Sequence, residues 1–168
     1  VSERGIPTLL DIYSKYDVEG TFYVTGTFAK NFPEAVQNIY DHGHEIGCHG
    51  FSHYHHHSFD VLSSREQFIH INRAKKNIEA RTGSIEAFRA PALRMGSSTP
   101  QILEKLNFRT DSSLAPRRFD GPLTSGGFKK LNWLLSPRMP YMMNKYNPFE
   151  KGESKILEIP VSSYGAGY

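Results

Sequence analysis

The sequence predicts an α/β domain on a parallel sheet, of the kind that closes into a (β/α) barrel. Three observations carry this expectation. Helical and strand patterns alternate along the chain, which favours parallel strands with helical crossovers. The strand patterns are short, and polar residues stand just past their ends, as on the catalytic face of a barrel. No repeat of roughly 20–50 residues and no linker is visible, so the 168 residues read as a single domain over 1–168, long enough to bury a sizeable core.

The elements follow in order. Ile6, Leu9, Leu10, Tyr13 and Tyr16 keep helical spacing after Gly5, with Pro7 tolerated in a first turn. Residues 18–24 (VEGTFYV) are β-branched and aromatic and read as a strand ending at Gly26. Phe28, Phe32, Ala35, Val36, Ile39 and Tyr40 make a second helical face, stopped by the corner His42-Gly43. A short strand is expected over His44 to Cys48. Ser63-Ser64-Arg65-Glu66 has the form of a capping box, after which Phe68, Ile71, Ala74 and Ile78 share one stripe and Thr82-Gly83 closes the helix. Ala87-Phe88-Arg89 is a brief strand, followed by a Pro/Gly/Ser loop. Thr99-Pro100 opens a helix through Leu106, with Pro in its first turn. Phe108 to Asp111 is one more strand and Lys155 to Val161 the last. Between Pro116 and Pro148 the pattern is irregular, with loops around Leu131–Leu135. Phe119, Trp133, Tyr141 and Tyr146 in this region suit either sugar stacking or a core.

Composition excludes several classes. The hydrophobic share of 38% lies below the ~45–50% of globular domains, a figure that also counts Gly, but eleven Phe and nine Tyr argue against disorder. The net charge of +3 arises from Lys and Arg scattered among 17 acids. Doublets such as Arg117-Arg118 and Lys129-Lys130 read as solvated surface, so no nucleic-acid partner is expected. No run approaches the ~20 apolar residues of a membrane span. A lone cysteine, Cys48, rules out an intrachain disulfide framework and leaves both cytoplasmic and cell-envelope settings open. The start, Val1-Ser2-Glu3-Arg4, is no signal peptide and carries no initiator Met, so the chain is expected to be a piece of a longer polypeptide.

Seven of the eight histidines fall within residues 42–57. A metal site needs converging ligands. His49 and His53 stand four apart directly after a strand, and on a helical turn that spacing puts both imidazoles on one face. Two His and a carboxylate from elsewhere leave Zn²⁺ an open position, the pattern of a catalytic site. His44 lies within the strand and is expected to pack beneath the barrel layer. The run His55-His56-His57 reads as an exposed loop, since three consecutive side chains do not all point inward. A bare pair of His four apart also arises by chance, and a histidine-rich metal-storage segment is a further reading of the tract.

The stretch Gly43-His44-Glu45-Ile46-Gly47-Cys48-His49-Gly50-Phe51-Ser52-His53 resembles the second signature of the polysaccharide deacetylases, carbohydrate esterase family four. Other parts match in order. Gly20-Thr21-Phe22-Tyr23-Val24-Thr25-Gly26 is similar to the family's early strand, and Phe88-Arg89-Ala90-Pro91-Ala92 to its Arg-x-Pro signature. Thr110-Asp111-Ser112-Ser113-Leu114-Ala115-Pro116 and Leu157-Glu158-Ile159-Pro160-Val161-Ser162 resemble a subgroup associated with exopolysaccharide loci. The resemblance runs from about Gly5 to Ser162.

It implies a distorted, incomplete (β/α) barrel, truncated at both ends, that hydrolyses N-acetyl or O-acetyl groups on a polysaccharide or amino sugar. His49 and His53 would be metal ligands, for Zn²⁺ or another divalent ion such as Co²⁺, Mn²⁺ or Ni²⁺. Arg89 would orient a catalytic Asp, a task suited to its planar guanidinium. Pro91 would fix the loop at the substrate side, and the Ala92 N–H, where the family usually has Tyr, would donate to the oxyanion. Asp111 would face the site as a substrate contact, or serve as a turn residue before Ser112-Ser113. The family's first signature, which supplies the carboxylate base and third ligand, belongs on a strand before Val1. Its proton-donating His belongs after the last strand, and no His follows His70. Trimming of an active enzyme explains both gaps. The alternatives are an inactive, carbohydrate- or metal-binding module on the same fold, and a related amidohydrolase acting on a small amide.

Overall fold

In a computed structural model, the structure describes residues 2–116 and 136–162. Six described strands form one sheet in the order β1-β2-β3-β4-β6-β5, with every neighbour parallel except the β5–β6 pair. The elements are α1 (Ser2–Lys15), β1 (Thr21–Val24), α2 (Gly26–Asn31), α3 (Pro33–Asp41), β2 (Glu45–Cys48), α4 (Ser64–Thr82), β3 (Ala87–Phe88), α5 (Thr99–Lys105), β4 (Thr110–Asp111), β5 (Tyr141–Met142) and β6 (Leu157–Glu158). This is the α/β arrangement the alternating pattern predicts. Helices connect β1, β2, β3 and β4 in turn, so the C-terminal ends of β2, β3 and β4 line up along one rim.

The differences from expectation are local and have physical reasons. The helical face over residues 28–40 is two helices, because Pro33 restricts the residue before it and Phe32 takes φ −133°, ψ 57°. The strands are shorter than their apolar patterns. Ladder pairing of β1 begins only at Thr21 opposite Glu45, after a turn in which Asp17 has φ 52°. β5 lies in the stretch where periodicity gives no signal, and it pairs antiparallel to β6, with Tyr141 opposite Glu158. The loops expected around Leu131–Leu135 lie outside the described residues.

The capping box forms as its sequence predicts. Ser63 Oγ accepts the Glu66 N–H at 3.3 Å, and Glu66 Oε2 accepts the Ser63 N–H at 2.8 Å. The stripe Ile71, Ala74 and Ile78 is fully buried. The core continues through Phe59, Phe88 and Phe108, in tilted and edge-on contact at 5.7 Å between successive ring centroids. Helix α2 packs tightly on α4: a Cβ on Gly26 would stand 2.7 Å from Ala74 Cα and 2.9 Å from Phe51 Cδ2. Helix α2 therefore approaches α4 at a distance that only a glycine allows.

Gly26→Ala is accordingly expected to destabilise the fold by about 1–3 kcal/mol, the range for overpacking a rigid contact. Urea unfolding followed by circular dichroism measures it. An unchanged midpoint would mean that α2 can lift away from α4 at no cost.

Candidate metal centre and the carboxyl pair beneath it

The site is built where β2 and β3 end. The His49 N–H donates to Val24 O at 2.8 Å, and the Cys48 carbonyl accepts the Arg89 N–H at 2.9 Å, so the ladder runs one residue past each strand. Gly50 then turns the chain with φ +68°, where a Cβ would press on Phe59 and Pro91 at 3.2 Å. The first amides of α2 hold the loop: Gly26 N–H bonds Gly50 O, and Thr27 N–H bonds Phe51 O, each at 2.9 Å. This strapping brings the His49 and His53 rings to 5.3 Å between centroids. The pair converges as expected, but through an irregular loop pivoting on Gly50 rather than a helical turn.

His49 has a defined tautomer. Its Nδ1 lies 2.8 Å from Arg89 O, and a carbonyl only accepts, so Nδ1 carries the proton and Nε2 keeps its lone pair. Burial is the largest influence on this ring and lowers its pKa to about 4, with the His53 and Arg89 charges acting the same way and the Arg89 carbonyl opposing them. The ring is therefore neutral at physiological pH. His53 is exposed.

The other histidines separate by environment. His44 is buried, as the alternation of faces predicts, with its ring 5.4 Å from Tyr13 and 5.1 Å from Phe22. Residues His55–His57 form a 3₁₀ turn instead of an open loop. His56 is exposed. His57 is half-buried, with Nδ1 2.6 Å from Ser52 Oγ and its ring 4.4 Å from His70. The tail of the tract is thus partly packed, which corrects the expectation that it is all solvated.

Arg89 leaves the end of β3 with its side chain fixed. Nε donates to Ser112 O at 2.8 Å and Nη2 to Ser112 Oγ at 2.6 Å, while the guanidinium carbon sits 4.3 Å from the Tyr23 ring centroid. Pro91 is buried against Gly50. Ala92 is exposed and holds φ 54°, ψ 19°, followed by Leu93 at φ 56°. The turn's hydrogen bonds, Leu93 N–H to Ala90 O and Arg94 N–H to Pro91 O, leave the Ala92 N–H out. Arg94 clamps the turn to the histidine loop through two bonds to Asp60 Oδ2, at 2.9 and 2.6 Å.

Asp111, expected to face the site, has no exposed surface. Its Oδ1 accepts the Ser113 hydroxyl at 2.6 Å and Oδ2 the Ser113 N–H at 3.2 Å. The structure places it one layer below the rim, in the role of the turn-residue alternative. Opposite it in register on β6 stands Glu158, which sequence reasoning passed over. Its signal was an acid set between Ile156, Leu157 and Ile159. Glu158 is also fully buried: Oε1 accepts the Leu114 N–H at 3.0 Å, and Oε2 finds no donor among the described residues. Burial, then the Asp111 charge, pushes Glu158 up to about 12. Burial also raises Asp111, against the pull of its hydrogen bonds and Arg89. Both carboxyls are pushed toward the protonated form, because two charges in register inside an apolar layer repel each other and lack water. Of the aromatics singled out between Pro116 and Pro148, Tyr141 is core, with its hydroxyl on Pro148 O at 2.6 Å. Tyr146 is exposed, and Phe119 and Trp133 lie outside the described residues.

An α/β sheet carrying a histidine pair and an Arg-x-Pro turn at its strand ends defines a class, the carbohydrate-deacetylase folds. The sequence model of one such family, polysaccharide deacetylase, matches residues 2–110, and the chain belongs to that family. The peptidoglycan deacetylase of Helicobacter pylori is 28% identical over 96% of this chain and 54% of its own length. A chitooligosaccharide deacetylase of Azorhizobium caulinodans is 28% identical over 69% of this chain and 55% of its own. The crystal structure of a Mycobacterium smegmatis protein described as a polysaccharide deacetylase superposes with a TM-score of 0.71 at 28% identity, covering 94% of this chain and 46% of that one. A CE4 family pseudoenzyme from Bacillus anthracis reaches 0.59 at 26% identity, over 63% of this chain and 37% of its own. The chain spans about half the length of the curated relatives it matches.

The carboxyl pair generates a pH prediction. A proton that stays on Glu158 in the fold, but leaves it when unfolded above about pH 4.5, gives stability that is complete below that pH and declines as pH rises toward the folded value. E158Q cannot ionise, so its melting temperature relative to wild type is expected to climb between about pH 4 and pH 8. A difference that stays flat across that range would show Glu158 ionised in the native protein.

Proposed function

We propose that this chain belongs to a metal-dependent hydrolase that removes N-acetyl, or O-acetyl, groups from a polysaccharide or amino-sugar substrate. The observation that carries the reading is His49: a neutral imidazole whose Nδ1–H is tied to a backbone carbonyl, which leaves Nε2 unprotonated on a ring beside His53. Metal-binding histidines have this second partner almost without exception. Two imidazoles fit Zn²⁺ and its neighbours in the divalent series. When bound, a divalent cation supplies Lewis acidity, polarising the acetyl carbonyl and making water acidic enough to act near neutrality.

The chain's own residues do the rest of what it contributes. His49 and His53 hold the ion. Arg89 keeps its guanidinium over Tyr23, a fixed positive charge beside the rim on which a carboxylate can be oriented. The Ala92 amide, left out of its turn's hydrogen bonds, serves as a donor for a developing oxyanion. Pro91 and the Arg94–Asp60 clamp hold that amide against the histidine loop. The names of the relatives, which include peptidoglycan and chitooligosaccharide deacetylases, support an acetylated glycan as the substrate class.

One observation favours a second reading, a binding module without turnover. Among the described residues no three His, Cys, Asp or Glu side chains are grouped to hold a metal, and the fold has a pseudoenzyme among its neighbours. Acetate release from N-acetylglucosamine oligomers by the full-length protein separates the two.

Calorimetric titration of Zn²⁺ tests the ligands. His49→Ala and His53→Ala are each expected to lose more than about 100-fold in affinity, beyond the range of outer-shell changes, while His56→Ala binds as wild type. Equal losses at His49 and His56 would remove the assignment.

A further inference from the structure

We propose that Ser113 is a positioning residue for His49, acting through the single peptide group between Arg89 and Ala90. The two edges of that group are both occupied. Its carbonyl, Arg89 O, receives the His49 Nδ1–H at 2.8 Å. Its N–H, on Ala90, donates to Ser113 Oγ at 2.8 Å. A peptide group is planar, so a bond on one edge fixes the direction of the other. Tilting the Ala90 N–H away from Ser113 swings the carbonyl out of line with His49.

Ser113 is itself held in a way that sets its proton. Its hydroxyl donates to Asp111 Oδ1 at 2.6 Å, which leaves the oxygen's lone pairs for Ala90. Below lie Glu158, in register with Asp111, and the Leu114 N–H that fixes Glu158. The direction of bonding is therefore determined along the whole path: Ala90 to Ser113, Ser113 to Asp111. Ala90, Asp111, Ser113 and Glu158 are all at most 1% exposed, so no water competes for these bonds. The path explains a buried polar network under an otherwise apolar strand layer. It transmits the rigidity of β4 and β6 to the ring that follows β2, with no side chain of the network touching the histidine.

The inference rests on the reading of His49 as a metal ligand, and the experiment keeps the two apart. Two measurements are made on the full-length protein: the ¹⁵N-resolved imidazole spectrum without metal, and Zn²⁺ affinity. In wild type, His49 is expected to show a slowly exchanging Nδ1–H. Ser113→Ala is expected to lose that signal and about tenfold in Zn²⁺ affinity, the scale of an outer-shell partner, and Ser113→Thr, which restores the hydroxyl, to recover both. If Ser113→Ala does not fold, Ser113→Cys replaces it with the same expectation, since a thiol of similar volume makes only weak hydrogen bonds. A folded Ala or Cys variant that keeps the Nδ1–H signal and wild-type affinity overturns the proposal. Failure of wild type to bind Zn²⁺ overturns the ligand reading alone, and the imidazole spectrum then decides the positioning role by itself.

Discussion

Two carboxyl groups with no exposed surface face each other across β4 and β6, and the site depends on how that conflict is resolved. An ionised carboxylate left unpaired in an apolar interior is costly, and two side by side are worse. Burial raises both carboxyls, Glu158 to about 12, so protonation relieves the repulsion, while the Ser113 hydrogen bonds and Arg89 pull Asp111 the other way. The arrangement also fixes register. A slip of one residue would turn Glu158 to the opposite face and strand Asp111 without its partner. Strands of two residues carry little register information of their own, so this polar pair specifies what β4 and β6 otherwise leave loose.

The same pair organises the rim above it. Asp111 holds Ser113, Ser112 holds the Arg89 guanidinium, and Arg89 lies on the face of Tyr23. Tyr23 in turn packs where Gly47 has no side chain: a Cβ there would stand 2.6 Å from the ring. Strands β1, β2, β3 and β4 thus each contribute one element to a single stack. A buried phenol in this position is pushed up to about 12, chiefly by desolvation and against the pull of Arg89, so it remains a neutral platform for the cation at any physiological pH.

Much of this was legible in the sequence, and the parts that were not share a cause. The order of elements and the capping box at Ser63 follow from local signals, periodicity and a four-residue motif, whereas the spacing of His49 and His53 predicted a helical turn and the Gly50 loop is what brings them together. The break at Phe32-Pro33 was also local, and the helical face simply outweighed the proline in the pattern. What remained hidden is pairwise and distant. Glu158 looks like an ordinary surface acid until β4 lies beside it, 47 residues from the Asp111 end in chain order. Likewise the role of Asp111 reverses, from facing a substrate to lying beneath the rim, because alternation along a strand says which residues share a face but not which face is inward. β5 escaped because Tyr141–Met142 is too short to show a period at all.

The Ala92–Leu93 turn shows where the fold accepts strain. Two consecutive non-glycine residues with φ above 50° are each disfavoured by on the order of 1–3 kcal/mol, and glycine at either position would relieve it. The surroundings nonetheless over-determine the turn. Pro91 is wedged against Gly50, Arg94 is bound twice to Asp60, and Ala90 is anchored on Ser113. The strain therefore does not relax by local rearrangement, because each neighbour of the turn is fixed to a different strand or loop. Its product is an exposed Ala92 whose N–H takes no part in the turn's hydrogen bonds. A glycine there would permit the same conformation but also many others, and the unfolded chain would gain freedom as well. An alanine forced into this turn keeps its amide in one orientation.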